Sequence, residues 1–140
     1  MKETESIVDL TVEKYLAYPI KLEVRPAWSR TQIALYLKEQ KMLGSRKATI
    51  AKWEKELFYY IKDFRECIPK DEHGEIIEGF AYNQYQFSVV CKLSFLMTKM
   101  RPYLNGTNYL GAIRQTIKNR KLQRRYLSYA VWQYDQRNSA

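Results

Sequence analysis

The spacing of apolar positions predicts a chain made mostly of helices. Residues 1–26 mix β-branched and charged side chains and hold Pro19 and Pro26, which predicts a helix near 7–17 followed by an extended segment. Ser29 then precedes TQIALYLKEQ with Gln32 three residues on, as in a capping box where the serine hydroxyl accepts from free first-turn amides. Ile33 and Leu37, with Leu35 or Tyr36, form the apolar stripe of this helix, and Gly44 with Ser45 breaks it after Met42 and Leu43. A second helix is predicted from Arg46 to about Tyr59, with Ile50, Trp53, Leu57 and Tyr60 three or four apart and Lys47, Lys52 and Lys55 largely on other faces.

Two helices joined by a glycine turn are a helix-turn-helix candidate. The following segment, FYYIKDFRECIPKDEHGEIIEGFAYNQYQ, sets two aromatic or β-branched stretches around a polar tip containing Pro69 and Gly74. That pattern predicts a β-hairpin with strands at 61–68 and 76–81, where a wing would stand. Asn83 can cap a long third helix that runs to about Lys99, carries Phe87, Val90, Leu93, Leu96, Met97 and Met100 on one face, and ends before Pro102. After the Asn105-Gly106 turn, Thr107 or Asn108 caps a fourth helix with Leu110, Ile113 and Ile117 inward. KNRKLQRR then leads into a last helix bearing Leu122, Tyr126, Tyr129, Val131 and Trp132. The expected fold class is mainly α with a β-hairpin wing. An N-terminal extension (1–28) precedes a winged helix-turn-helix (29–104), and basic C-terminal helices (105–140) supply dimerisation.

Composition narrows the function classes. With 140 residues, 46% of them hydrophobic, there is material for one core. No apolar run approaches the roughly 18 to 20 residues of a bilayer span, and MKETESIVDL lacks the order of a signal peptide, so a cytoplasmic protein with no membrane partner is expected. Cys67 and Cys91 stand 24 residues apart without a CxxC, and His73 is the single histidine, which argues against a metal site and for reduced, partly buried thiols. There is no nucleophile elbow and no phosphate-binding glycine loop, so neither catalysis nor a cofactor is expected.

Of the net charge of +9, residues 1–97 contribute almost nothing, with 15 basic and 14 acidic groups. Residues 98–140 hold nine basic groups (Lys99, Arg101, Arg114, Lys118, Arg120, Lys121, Arg124, Arg125, Arg137) against Asp135, and residues 30–62 hold eight basic groups against three acids. Two positive surfaces favour a polyanion, because neutralised phosphates release condensed counterions. Solvated helix faces are the plain alternative.

The order of elements resembles the MerR family of transcription regulators over residues 29 to about 117. That family's second helix reads Gly-x-x-x-x-Thr-Leu/Ile-Arg-x-x-Glu, and Gly44, Thr49, Ile50 and Glu54 stand at those spacings, with Ala51 in place of the arginine. Gly79-Phe80-Ala81-Tyr82 followed by Phe87 is similar to the family's wing closure but lacks its arginine, and the stretch from Gly106 to Ile113 is similar to the opening of its fourth helix with a shift of one or two residues. In outline the chain is similar to compact repressors of the family, including those encoded beside CRISPR-associated transposons of cyanobacteria, and too short for a long coiled coil with an effector domain.

The resemblance implies a dimeric, sequence-specific regulator of double-stranded DNA, a repressor acting at an inverted repeat, with no small-molecule effector evident. Arg46, Lys47, Thr49 and Lys52 are then expected at base edges in the major groove, with Trp53 divided between core and DNA backbone. Ser29, Arg30 and Thr31 would lie at a phosphate. On the wing, Lys70 and His73 would meet the backbone, and the Tyr82 hydroxyl a phosphate. Leu122, Tyr126, Tyr129, Val131 and Trp132 are the expected homodimer contact, with packing on the chain's own core as the alternative. Two other functions fit the same features: an excisionase-like architectural factor, which would bend DNA, and an RNA- or protein-binding module using the basic C-terminal helix and the chain's 12 tyrosines.

Overall fold

The long apolar stripe read for the third helix becomes the centre of the molecule. A computed structural model describes residues 7–77, 79–104 and 109–138. In it α5 (Gln84–Leu104) is buried at every position from Tyr85 to Cys91, as a helix must be when neighbours cover it all round. Those neighbours are α1 (Ile7–Ala17), α2 (Arg30–Glu39), α6 (Tyr109–Ile117) and α8 (Tyr129–Asn138). Pro102 was expected to lie beyond the end of this helix, yet it lies inside it, two residues before its last residue, Leu104.

Ser29 caps α2 as expected. Its Oγ accepts from the Gln32 amide at 3.0 Å while its own amide donates to Gln32 Oε1 at 2.8 Å. Ile33, Ala34, Tyr36 and Leu37 are buried, and Leu35 is the exposed alternative. After a turn at 40–46, α3 (Lys47–Tyr60) buries Ile50, Trp53, Glu54 and Leu57. The turn needs its glycine twice over. Gly44 has φ +93°, and a Cβ there would stand 3.0 Å from two Trp53 ring carbons and 3.1 Å from Leu37.

The winged helix-turn-helix expectation is overturned beyond α3, because no strand forms among the described residues. The centre of the predicted first strand is a short helix, α4 (Lys62–Glu66). Leu57, Ile61, Phe64 and Ile68 are all buried at spacings of three and four, so the segment follows a helical period and not an alternating one. Beyond it stands one isolated bridge, Lys70 to Ile76, closed by bonds from the Asp71 amide to Glu75 O and from the Ile77 amide to Pro69 O. Tyr82, expected at the closing end of the wing, pairs instead with Trp28, again as a single bridge. Ile76 and Ile77 are both exposed, and of the described residues of the predicted second strand only Phe80 is buried, so the segment has no alternating apolar face.

The last predicted helix is broken into three pieces: α7 (Arg120–Leu122), a π-helical turn (Gln123–Leu127) and α8. Asn119 Oδ1 caps α7 by accepting from the Leu122 amide, and Asp63 Oδ2 of α4 accepts from the first amide of α8 at 3.0 Å. One core runs from Leu16 through α5 to Ile113, Ile117 and Leu127 and so joins all three segments read from the sequence. The expected turn and cap at 105–108 lie outside the described residues, as does the Leu110 side chain.

Gly44→Ala is expected to lower stability by about 2 kcal/mol in urea unfolding, since both the left-handed backbone and the indole contact oppose a Cβ. A change below about 0.5 kcal/mol would mean that the turn and Trp53 yield freely.

Candidate nucleic-acid interface

The second helix of the pair has two chemically distinct sides, and the difference originates in where its carboxylates point. Glu54 is buried and takes a bidentate fork from Arg30, with Nε and Nη2 donating at 2.8 and 2.7 Å to its two oxygens. The buried Tyr82 hydroxyl donates to the same carboxylate. Glu56 pairs with Arg114 of α6. Both acids of α3 are therefore engaged by cations from other elements, and neither faces outward unpaired.

What α3 presents outward is positive. Lys52, Lys55 and Tyr59, at spacings of three and four, are exposed on one strip, and Tyr59 is 74% exposed. Arg46 and Lys47 extend it at the N-terminal end, both exposed. Arg46, Lys47, Lys52 and Lys55 make no ion pair or side-chain hydrogen bond among the described residues. Arg46 is the N-cap and its side chain makes no cap bond, so the first amides of α3 have no side-chain acceptor. Thr49 is half-buried at the edge of this strip.

Several expected contact residues lie elsewhere. Trp53 is 3% exposed and packs under Gly44, so it belongs to the core and not to a DNA-backbone contact. Arg30 is fixed on Glu54, whose bond holds the guanidinium above its already high pKa, and the cation also faces the rings of Phe80 and Tyr82. Tyr82 is fully buried; burial first, and then the Glu54 carboxylate, push its phenol far above the ordinary range. Neither group is available to a phosphate. Ser29 is exposed, but both its Oγ and its amide are engaged with Gln32, while Thr31 is exposed on the same turn. Lys70 and His73 are exposed on the 69–77 loop, where His73 lies 3.7 Å from Glu72 and its amide donates to Asp71 Oδ1. With the wing absent, nothing ties these two to the α3 strip. Lys55 and Tyr59 were missed as site candidates although their register with Lys52 is plain on the polar side of the helix.

The residues expected at a dimer contact lie mostly against their own chain. Leu122, Tyr126 and Trp132 pack on the core, and Val131 is half-buried. The Tyr126 hydroxyl donates to Glu13 of α1 at 2.9 Å, beside the Arg125 ion pair to the same oxygen, and these bonds hold the Glu13 carboxyl below its usual range. Tyr129 is 38% exposed, with its ring set edge-on against Tyr85. Exposed Lys118, Arg120 and Arg124 form a second group of cations around the α6–α7 junction, without ion pairs among the described residues.

No protein-family model, curated protein or solved structure matches the chain. The likeness to MerR regulators therefore rests on the residues of 29–117 alone. No group of three or more metal-ligating side chains occurs among the described residues, and no helix there is long and apolar enough to cross a membrane.

Glu54→Ala is expected to cost roughly 2–3 kcal/mol in urea unfolding, because it leaves the Arg30 charge and the buried Tyr82 hydroxyl without their acceptor. An Arg30→Ala, Glu54→Ala double-mutant cycle should return a coupling of at least about 1 kcal/mol, and additive costs would refute the coupling.

Proposed function

We propose that the chain binds duplex DNA through the exposed face of α3 and acts as a sequence-specific transcription regulator, most simply a repressor. One observation carries this reading: the N-cap and outer surface of α3 hold four cations that make no ion pair among the described residues, while both its carboxylates are engaged by other elements. An ordinary solvated helix mixes signs on its outer face, which lowers its charge density. Here the lysines have no ion-pair partner among the described residues, so counterion release is available to phosphates. Arg46 and Lys47, at the start of the helix, are the base-reading candidates, since either can bond the acceptors of guanine. Lys52 and Lys55 are phosphate contacts, and Tyr59 lies at the end of the strip. Lys118, Arg120 and Arg124 are a second phosphate-binding group.

A single helix reads too few base pairs to find one site in a genome, so a second copy is expected on an inverted repeat. With Leu122, Tyr126 and Trp132 packed against the core, the exposed aromatic side chains of α8 offered for that contact are Tyr129 and Tyr134, 38% and 61% exposed.

Titration against the chain's own upstream region and a scrambled duplex, at several salt concentrations, tests the proposal. The expected preference is about a thousandfold or more at physiological salt. Lys52→Gln with Lys55→Gln should lower the slope of log K on log salt by roughly 2 with little change in the preference, whereas Arg46→Gln should reduce the preference itself. Equal affinity for both duplexes would leave only a polyanion binder. For the second copy, Tyr134→Asp should shift sedimentation from dimer to monomer and weaken binding to a two-half-site duplex; a wild-type chain that sediments as a monomer on that duplex removes the dimer.

A further inference from the structure

Between the extended strap at 18–24, the first half of α5 and helix α8 runs an open groove of about 850 Å³, within the size range of sites for small organic molecules. Its floor is one face of α5, since Gln84, Ser88 and Lys92 follow one another at intervals of four. Tyr18 and Leu22 of the strap, with Tyr126 and Trp132 from the C-terminal elements, make the walls more apolar than polar, with Lys21, Asp135 and Gln136 among the polar residues of the lining.

The polar groups on that floor are unequally served. The Gln84 amide makes three bonds: its oxygen accepts from the Trp28 indole at 2.9 Å and from the Arg25 amide, and its nitrogen donates to Glu23 O. Ser88 is only 7% exposed, and its hydroxyl has no hydrogen-bond partner among the described residues. Lys92 donates from Nζ to the Tyr126 carbonyl at 2.7 Å, which leaves two ammonium protons unassigned. It makes no ion pair among the described residues; burial lowers its pKa, and the nearby charge of Asp135 offsets this only in part. Arg125 stands at the rim, turned to Glu13. A half-buried cation with spare donors, one helical turn from a buried hydroxyl, has no anion in ion-pair contact among the described residues: Asp135, the one acid among the lining residues, acts on it only from beyond ion-pair distance, and stands against the cations of Lys21, Lys92 and Arg125. The apolar walls require that the anion carry a hydrophobic body.

We propose that this groove binds a small organic carboxylate whose anionic end is held by Lys92 and Ser88 and whose aromatic or aliphatic body lies along Tyr18, Leu22 and Trp132. Phosphates or free inorganic anions would leave the walls uncovered, and a neutral molecule would leave Lys92 as it is. The site does not depend on the DNA reading and is measured on the DNA-free chain.

The test is calorimetric and NMR titration of the full chain with 2-naphthoate and with decanoate, taking methyl 2-naphthoate as the uncharged control. At least one acid should bind at one equivalent and shift the Trp132 indole N–H resonance, assigned by Trp132→Phe. Lys92→Met should weaken binding tenfold or more and Ser88→Ala about threefold, while Lys99→Met, on the exposed later part of the same helix, should change nothing. Tighter binding of naphthoate than decanoate, or the reverse, tells which body the walls accept. Failure of both acids to saturate, equal binding of the ester, or full affinity in Lys92→Met overturns the proposal. Should Lys92→Met fail to fold, Ser88→Ala and the Trp132 resonance decide, and an unmoved resonance is refutation.

Discussion

The buried carboxylate of Glu54 is the contact on which the arrangement of the helices turns. Removing a carboxylate from water costs several kcal/mol, and that cost is offset only if its oxygens are well served. Arg30 supplies two charge-assisted bonds from the first turn of α2, and Tyr82 supplies a third from the segment entering α5. Three stretches of chain distant in sequence thereby meet at one side chain of α3. Such a pair adds less to net stability than its distances imply, because an apolar replacement of equal volume would escape the desolvation cost. What it enforces is register: α2 cannot slide along α3 without stranding Arg30, and residues 80–84 cannot shift without stranding the Tyr82 hydroxyl.

Trp28 closes the same junction from the other side. Its amide and carbonyl exchange bonds of 2.8 and 2.7 Å with Tyr82, and its ring lies parallel to Phe87 with centroids 3.7 Å apart. The Arg25 guanidinium covers the ring at 4.4 Å. The strap that precedes α2 is thus attached to the start of α5 through backbone, ring and indole N–H together. Orientation of α2 and α3 follows from these contacts. The lysines on the outer strip of α3 take no part in them, which leaves that face free for chemistry.

Much of this was legible in the sequence where the determinant is local. The Ser29 and Gln32 capping box, the stripe through Ile33 and Leu37, the glycine turn and the long apolar face of α5 are all read within a few residues, and each is present. The hairpin failed for a reason that the sequence also contained. Residues 57–68 are rich in aromatic and β-branched side chains, which favours a strand by composition. Their apolar positions nonetheless recur at four, three and four, which is helical, and period is the stronger signal because it decides what can be buried on one face. The assignments of Arg30 and Tyr82 to phosphate failed differently. Whether a charged or hydroxyl group is available depends on partners 24 and 28 residues away, and no local pattern records those.

The C-terminal region joins both lessons. Of its large side chains, Tyr129 and Trp132 meet the ring of Tyr85 on α5, and Leu122 and Tyr126 pack against the core. The π-helical turn ends at Leu127, so its last carbonyls have no partner within the helix. Two of these are taken by α5: the Tyr85 hydroxyl donates to Leu127 O at 2.6 Å and Lys92 to Tyr126 O at 2.7 Å. That docking sets the Lys92 cation in the largely buried first half of α5 and brings it beside the strap at 18–24. The same face of α5 that anchors Trp28 through Gln84 then carries Ser88 and Lys92 into the groove one and two steps further along. Anything that moves the strap acts on Arg25 and Trp28, and through them on the cap of α2. The groove and the α3 strip are therefore linked by continuous packing, through elements that the Glu54 junction holds in a single register.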